Sequence, residues 1–195
     1  MRNKLVVSLL FLAFFTVSAH AATYAVDPGH SSVTFKIRHL FSNVQGQFTK
    51  YEGTIDYDPA KAETWATGGT IDVTSINTNE PKRDKHLLSA DFFDAEKFPK
   101  IEFKSTGVKE VTPTSAKLEG VITIHGVEKP ILLDVAINGA GKDPWGNTRA
   151  AFTATTKIDR KDFGINWNQA LDNGGVLVGE EVQITLEIEA IQKSA

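Results

Sequence analysis

The feature that most constrains the fold is an alternation of apolar and polar residues with a period of two, interrupted once by a charged segment. The alternation recurs between Val33 and Ile188. A period of two places every second side chain on the same face of a β-strand, so that each strand has one dry and one wet face. About eight such segments follow one another without repeats or a linker. This number of antiparallel strands favours a closed barrel or a sandwich.

Small residues bear on the choice between these two architectures. They occupy the apolar phase of their strands, where a solid sandwich core would carry bulk: Gly46, Gly53, Gly69, Gly120, Ala150 and Ala154. An eight-stranded barrel has about the radius that holds one small ligand. The alternative is that these glycines relieve crowding where strands bend sharply. We predict an all-β fold with a single antiparallel, roughly eight-stranded barrel that is hollow.

The alternation slips by one residue near Lys50. Apolar-phase positions run to Phe48 and then continue from Tyr51 rather than from position 50. A slip of one residue within a long strand predicts a β-bulge, which re-aims the strand and helps a sheet to curl.

The N-terminus has the features of a secretion signal. Arg2 and Lys4 precede an apolar run from Leu5 to Val17, and Ala19-His20-Ala21 supplies small residues for cleavage. The apolar run is shorter than the roughly 20 residues that span a bilayer. We predict a signal peptide over residues 1–21, removed after Ala21, and one domain over residues 22–195. An uncleaved membrane anchor is the alternative.

The amino-acid composition indicates the cellular compartment and argues against two classes of partner. Without the signal peptide, 19 basic residues face 24 acidic ones, a net charge of about −5 with no basic block. This balance argues against nucleic acid or an anionic membrane surface as partner. No later segment is long and apolar enough for an integral membrane protein. An exported chain without cysteine is most simply a protein of the bacterial periplasm.

The interruption is a predicted helix over residues 80–89, and its cluster Arg83-Asp84-Lys85-His86 invites a catalytic interpretation. Successive residues of a helix point in different directions, however. No Ser or Cys nucleophile is tied to His86, and no second carboxylate pairs with Asp84. We therefore interpret the segment as a solvated helix that packs Leu87, Leu88, Phe92 and Phe93 over one end of the barrel, and we predict no catalytic residues.

Metal and cofactor chemistry find no support in the spacing of the remaining ligand-type residues. His30, His39 and His125 show neither His-x-His nor His-x-x-x-His spacing. No glycine-rich phosphate loop follows a strand and opens a helix. Asp143-Pro144-Trp145-Gly146 has the composition of a turn. Trp145 there is either a closure over a ligand mouth or a packing anchor. We predict no metal and no cofactor.

Several ordered motifs resemble the signature of the YceI-like family of exported bacterial proteins. They cover the whole mature chain, and together they are more specific than any one of them alone. They are Arg83-Asp84-Lys85-His86-Leu87, Ser89-Ala90-Asp91-Phe92, Phe98-Pro99, Gly120-Val121-Ile122-Thr123-Ile124 with Gly126-Val127 and Lys129-Pro130, Asp143-Pro144-Trp145-Gly146 with Arg149, and Arg160-Lys161-Asp162-Phe163-Gly164-Ile165.

The resemblance implies a lipocalin-like barrel that binds a long isoprenoid or related amphipathic lipid in its lumen, often as a homodimer and without an established catalytic residue set. We therefore predict a periplasmic lipid-binding protein that holds a polyisoprenoid or similar long-chain amphiphile for transport, storage or sequestration. Two alternatives stay open. One is an enzyme acting on an isoprenoid or quinone with His86 as acid/base, and the other is a solid-barrel stress-response or interaction protein.

Strand phase, rather than the resemblance, selects the predicted ligand-binding residues of the lumen. They are Val33, Phe35, Ile37, Phe48, Ile55, Ile71, Val73, Phe103, Ile122, Ile124, Leu133, Val135, Phe152, Ile184 and Leu186. A ligand head group is expected at the mouth of the barrel near Arg83, His86 or Trp145.

Overall fold

The computed structural model describes residues 21–171 and 174–194, so the predicted signal peptide lies outside the described residues except for Ala21. One α-helix, α1 (Pro81–Leu88), is present within these ranges. The strands are β1 (Ala22–Val26), β2 (Ser32–His39), β3 (Ser42–Phe48), β4 (Tyr51–Tyr57), β5 (Ala66–Asp72), β6 (Ile76–Asn77), β7 (Lys100–Lys109), β8 (Ser115–Ile124), β9 (Val127–Lys142), β10 (Thr148–Asp159) and β11 (Val178–Gln192).

The strands form one antiparallel sheet that closes on itself. β1 pairs with β4 on one side and with β11 on the other, where Tyr24 lies opposite Gln192. β1 and β2 follow the same edge of β11 in succession, so they act as one strand broken at residues 27–31. β3 with β4, and β5 with β6, are broken in the same way. The result is the predicted closed barrel of eight antiparallel strands with one helix.

The predicted slip near Lys50 is the break between β3 and β4, and a buried serine fastens it. The Ser75 hydroxyl accepts hydrogen bonds from the backbone N–H groups of Lys50, at 3.0 Å, and Thr49, at 3.2 Å. The same hydroxyl donates to the backbone carbonyl of Asp72 at 2.6 Å. Backbone groups freed by the bend are therefore satisfied by a side chain, as buried polar groups require.

The up-and-down order of the strands gives the barrel two different ends. The helix end carries α1, the turns after β2 and β8, and residues 160–171 and 174–177. The far end carries the connections after β4, β7 and β9. At the far end an aromatic cluster lies inside the barrel. The ring of Tyr57 lies 4.8 Å from that of Trp65, 5.1 Å from Phe152 and 6.4 Å from Tyr24.

The space beside two inward-facing glycines is occupied by neighbouring aromatic rings. A Cβ atom at Gly120 would lie 2.4 Å from the ring of Phe103, and one at Gly46 would lie 2.4 Å from the ring of Phe35. The tip of each phenylalanine ring thus occupies the space beside the glycine. The argument that these glycines themselves leave empty space was wrong at positions 46 and 120.

A cluster of charged side chains on the outer face links the break between β1 and β2 to strands β10 and β11. Arg149 of β10 donates from Nη1 to Asp27 at 2.8 Å and to Glu189 at 2.5 Å, and from Nε to Asp143 at 2.8 Å. Hydrogen bonds from Arg149 and His30 lower the pKa of Asp27. Burial alone would raise the pKa of Asp143, but hydrogen bonds from Arg149 and Asn147 hold it well below its usual range.

Replacing Arg149 should flatten the acid side of the stability profile. Because the folded-state pKa values of Asp27 and Asp143 are lowered, both carboxylates contribute stability that is complete above their unfolded pKa of about 3.9. That stability is lost as the pH falls toward the folded values. We expect Arg149→Met to lower the thermal midpoint at pH 7 by a few degrees and to shrink its fall between pH 5 and pH 2. Thermal unfolding across this range provides the measurement.

Lys109→Met is the matched control. Lys109 pairs with Glu119 on the exposed surface, and its replacement by Met removes one positive charge, as Arg149→Met does. Equal slopes in wild-type protein and Arg149→Met would contradict the role assigned to Arg149.

Candidate functional site

The barrel is hollow and encloses a cavity of about 680 Å³ whose lining is overwhelmingly apolar. This volume falls in the range of small-molecule sites, about 300–1,000 Å³. The cavity excludes the solid-barrel alternative. Of the fifteen residues that strand phase assigned to the lumen, fourteen line it: Val33, Phe35, Ile37, Phe48, Ile55, Ile71, Phe103, Ile122, Ile124, Leu133, Val135, Phe152, Ile184 and Leu186.

Val73 is the exception, and its assignment to the lumen was wrong. The strand ends at Asp72, whose side chain accepts a hydrogen bond from the backbone N–H of Thr74 at 2.8 Å and starts a 3-10 turn over Val73–Ser75. The turn takes Val73 out of the strand's alternation. Its side chain, 1% exposed, packs into the hydrophobic core beside the cavity instead.

Trp145 is also misplaced by the prediction, because it lies at the opposite end from Arg83 and His86. It sits in the turn between β9 and β10 at the far end, is 80% exposed and does not line the cavity. Asp143 shapes this turn by accepting the backbone N–H groups of Trp145, at 3.0 Å, and Asn147, at 2.9 Å. Trp145 therefore cannot share a head-group site with the helix-end residues.

At the helix end the cavity reaches side chains that are polar or at least partly exposed to solvent, and we take this end as its mouth. They are His39, Val44, Lys82, Arg83, His86, Trp167, Leu177 and Val178. At the far end the lining includes the buried ring of Tyr57 and its aromatic neighbours Trp65 and Phe152. We refer to the helix-end set as the rim.

Arg83 of the rim and its neighbour Asp84 anchor the helix rather than form a catalytic pair. The carboxylate of Asp84 accepts the backbone N–H of Thr78 at 2.9 Å and its hydroxyl at 2.5 Å. Arg83 donates from Nε to the Thr78 hydroxyl and from Nη2 to the Thr78 carbonyl, both at 2.8 Å. Thr78 is only 3% exposed, so these bonds satisfy buried polar atoms. The helix is thereby fixed beside the cavity mouth.

His86 stands between two aromatic rings at the rim. Its ring lies edge-on to Phe92 at 5.0 Å and to Trp167 at 4.8 Å. Its Nε2 lies 2.8 Å from Oδ2 of Asp91, and both side chains are partly exposed to solvent. Sequence reasoning missed this partner because it looked for a carboxylate paired with Asp84 rather than for one across the helix C-terminus.

Arg160, which sequence analysis noted only within a family motif, lines the cavity just inside the rim. Its side chain is 4% exposed. Nε donates to the carbonyl of Gly179 at 2.8 Å, and Nη1 donates to those of Ile165, at 2.7 Å, and Trp167, at 2.8 Å. Nη2 is buried without a hydrogen-bond partner among the described residues.

Burial lowers the pKa of Arg160, and the negative charges of Glu180 and Asp159 oppose that effect. A signal for Arg160 was present in the sequence. It continues the inward phase of β10, two residues beyond Ile158.

One cluster of metal-ligand type occurs within residues 21–171 and 174–194. Asp27, His30 and Glu189 each offer an atom within 4.8 Å of the others. Both carboxylates already accept hydrogen bonds from Arg149, a cation of the protein itself. The cluster lies on the outer face and has no part in the cavity. Among the described residues, no helix combines the length and apolarity needed to cross a membrane.

Comparison with known proteins gives one consistent family. The model of the YceI-like domain matches residues 24–190. A UPF0312 protein of Vibrio cholerae is 37% identical over 195 residues, which cover 98% of this chain and 99% of that relative. A UPF0312 protein of Pseudomonas putida is 42% identical over 150 residues, which cover 75% of this chain and 78% of the relative.

Solved structures agree with the fold. The YCEI protein of Campylobacter jejuni is 34% identical with a TM-score of 0.69, over 79% of this chain and 88% of that one. Burkholderia cenocepacia BcnA is 25% identical with a TM-score of 0.75, over 85% and 99%. A polyisoprenoid binding domain from Saccharophagus degradans, implicated in plant cell wall breakdown, has a TM-score of 0.65 over 89% and 99%. At 12% identity it shares the fold alone.

Removing the Asp84 carboxylate should loosen the helix beside the mouth. Asp84→Ala leaves the buried N–H and hydroxyl of Thr78 without their acceptor, at a cost of about 1–3 kcal/mol in the free energy of unfolding. Urea unfolding measures this cost. Lys85→Ala, an exposed position on the same helix, is the control and should change the free energy by less than about 0.5 kcal/mol. Equal effects of the two substitutions would refute the anchoring role of Asp84.

Proposed function

The chain belongs to the YceI-like family, and from this membership we propose that it is a periplasmic protein that binds one polyisoprenoid or similar long-chain amphiphile inside its barrel. Transport, storage or sequestration of that lipid would be its task. The periplasmic location rests on the predicted signal peptide over residues 1–21. A homodimer, which the resemblance to the family implies, belongs to the same proposal.

The observation that carries the proposal is the apolar cavity. It extends from the aromatic cluster at Tyr57 and Trp65 to the rim at His86 and Trp167, with strand residues of both barrel halves along its length. Each buried methylene contributes about 0.8 kcal/mol. Several isoprene units therefore supply enough free energy for tight binding without a network of polar contacts. The polyisoprenoid binding domain of Saccharophagus degradans indicates that this fold is compatible with such a ligand.

The two ends of the cavity fit the two ends of an amphiphile. Tyr57 and Phe152 at the far end are buried aromatic residues suited to a hydrocarbon tail. Lys82, Arg83 and His86 line the helix end and supply polar groups. A lipid that enters tail first would leave its head group at the rim.

A second candidate function is an enzyme that acts on an isoprenoid or quinone, and the pair His86–Asp91 favours it. A His in hydrogen-bond contact with a carboxylate at the mouth of a substrate-sized cavity is an arrangement used in acid/base catalysis. The pair also links the end of α1 to the turn that follows. Turnover of a prenyl or quinone substrate that falls at least a hundredfold in His86→Gln would support the enzyme. Unchanged turnover would remove His86 from any mechanism.

Filling the cavity should abolish lipid binding while the barrel still folds. Ala154 on β10 lines the cavity and is buried, so Ala154→Phe would project a ring into the space that the lipid needs. We expect its affinity for a long-chain ubiquinone to fall at least tenfold. Trp65 and Trp167 line the cavity, so quenching of tryptophan fluorescence reports the bound quinone.

The neighbouring position supplies the control. Thr155 is exposed on the outer face of the same strand, and Thr155→Phe should bind the quinone as the wild-type protein does. Circular dichroism checks that both variants fold. Equal affinity in Ala154→Phe and Thr155→Phe would place the lipid site outside the barrel.

A further inference from the structure

We propose that Arg160 is the polar anchor of the cavity, and that its free Nη2 group selects lipids whose head group carries an anionic oxygen, such as a phosphate ester. This inference rests on the proposed lipid binding and specifies the ligand class. It also fixes the orientation of the lipid, with the head group just inside the rim and the tail toward the far end.

The first argument is an account of the donors of Arg160. A guanidinium group has five N–H donors and no acceptor. Three of them are used by the carbonyls of Gly179, Ile165 and Trp167. The two donors on Nη2 have no partner among the described residues. Nearly all buried polar groups in proteins are hydrogen-bonded, and an exception at a cavity wall is a candidate ligand contact.

The second argument concerns charge. Arg160 makes no ion pair among the described residues, and the two acidic residues whose charges act on it have other partners. Glu180 pairs with Lys161, and the Asp159 carboxylate accepts the backbone N–H of Lys161 at 2.8 Å. A buried cation without a counterion is costly. An anionic oxygen would both accept a hydrogen bond from Nη2 and neutralise the charge.

The surroundings of Arg160 favour the same class of ligand. Lys82, Arg83 and His86 line the cavity at this end. The nearby carboxylates are already committed, Asp84 to Thr78 and Asp91 to His86. The lining at this end therefore includes two cationic side chains, those of Lys82 and Arg83, near which a head group would lie. Because a charge-assisted bond from a guanidinium group suits phosphate and carboxylate oxygens, an anionic head group gains most from this position.

The anchor also has a structural task, which the test must separate from ligand contact. Through its three carbonyl contacts Arg160 holds the segment from Ile165 to Gly179 against the barrel. Asn168 holds the same segment, because its Nδ2 donates to the carbonyl of Val178 at 2.7 Å and its Oδ1 accepts the N–H of Val178 at 3.0 Å. Asn168→Ala therefore loosens this segment while keeping the Nη2 group of Arg160.

The experiment compares three lipids with tails of equal length: a prenol, the monophosphate of that prenol, and a ubiquinone that offers neutral carbonyl oxygens. Wild-type protein should bind the monophosphate about ten- to a hundredfold more tightly than the prenol. Arg160→Met should abolish this preference, so that the prenol and its monophosphate bind the variant with equal affinity. Asn168→Ala should shift both affinities together and keep their ratio.

The wild-type ratio tests the inference even if Arg160→Met fails to fold, and Arg160→Lys then serves as the second variant. A lysine keeps the charge but lacks the Nη2 group, so the preference should weaken without vanishing. A wild-type protein without preference for the monophosphate, or an Arg160→Met variant that retains it, would overturn the inference. A preference for ubiquinone alone would overturn the anionic class. Failure of all three lipids to bind wild-type protein would overturn the proposed function itself.

Discussion

Hydrogen bonding between β1 and β11 joins the first strand to the last, and this closure sets the size of everything inside the barrel. A closed sheet has no edge strands left open for pairing. Eight strands fix a radius at which side chains fill the lumen or leave room for one small ligand. The alternation of each strand then decides the chemistry of that space. Because most inward positions from β2 to β11 are apolar, closing the sheet creates a cavity with a largely apolar wall.

The connections between strands make the two ends of this cavity different. Connections of an up-and-down barrel fall alternately at one end and the other. The helix and the segment held by Arg160 both belong to the helix end, which consequently collects the polar groups of the rim. The aromatic cluster around Tyr57 lies at the far end. An amphiphile matches this polarity in one orientation only, and Arg160 lies where its head group would rest.

Strand alternation predicted the barrel and most of the cavity wall, because a period of two follows directly from backbone geometry. It failed where the chain left that geometry. Val73 continued the pattern by sequence, but the side chain of Asp72 had already ended the strand. The prediction placed Trp145 at the wrong end. Trp145 lies in the connection after the sixth long strand, whereas α1 follows the third. Counting the strands therefore puts the two at opposite ends of the barrel. Strand phase places Arg160 inside the barrel but does not show that its Nη2 lacks a hydrogen-bond partner. That property depends on where the folded loop places its carbonyl groups.

The central claim, that the cavity holds a single long-chain lipid, is tested most directly by native mass spectrometry of the wild-type protein purified from its own cells. Extraction and identification of any bound lipid would accompany it. The account predicts one long-chain isoprenoid or related amphiphile per chain, released on unfolding and regained when the lipid is added back. A chain that emerges without lipid and takes up no added isoprenoid would contradict it.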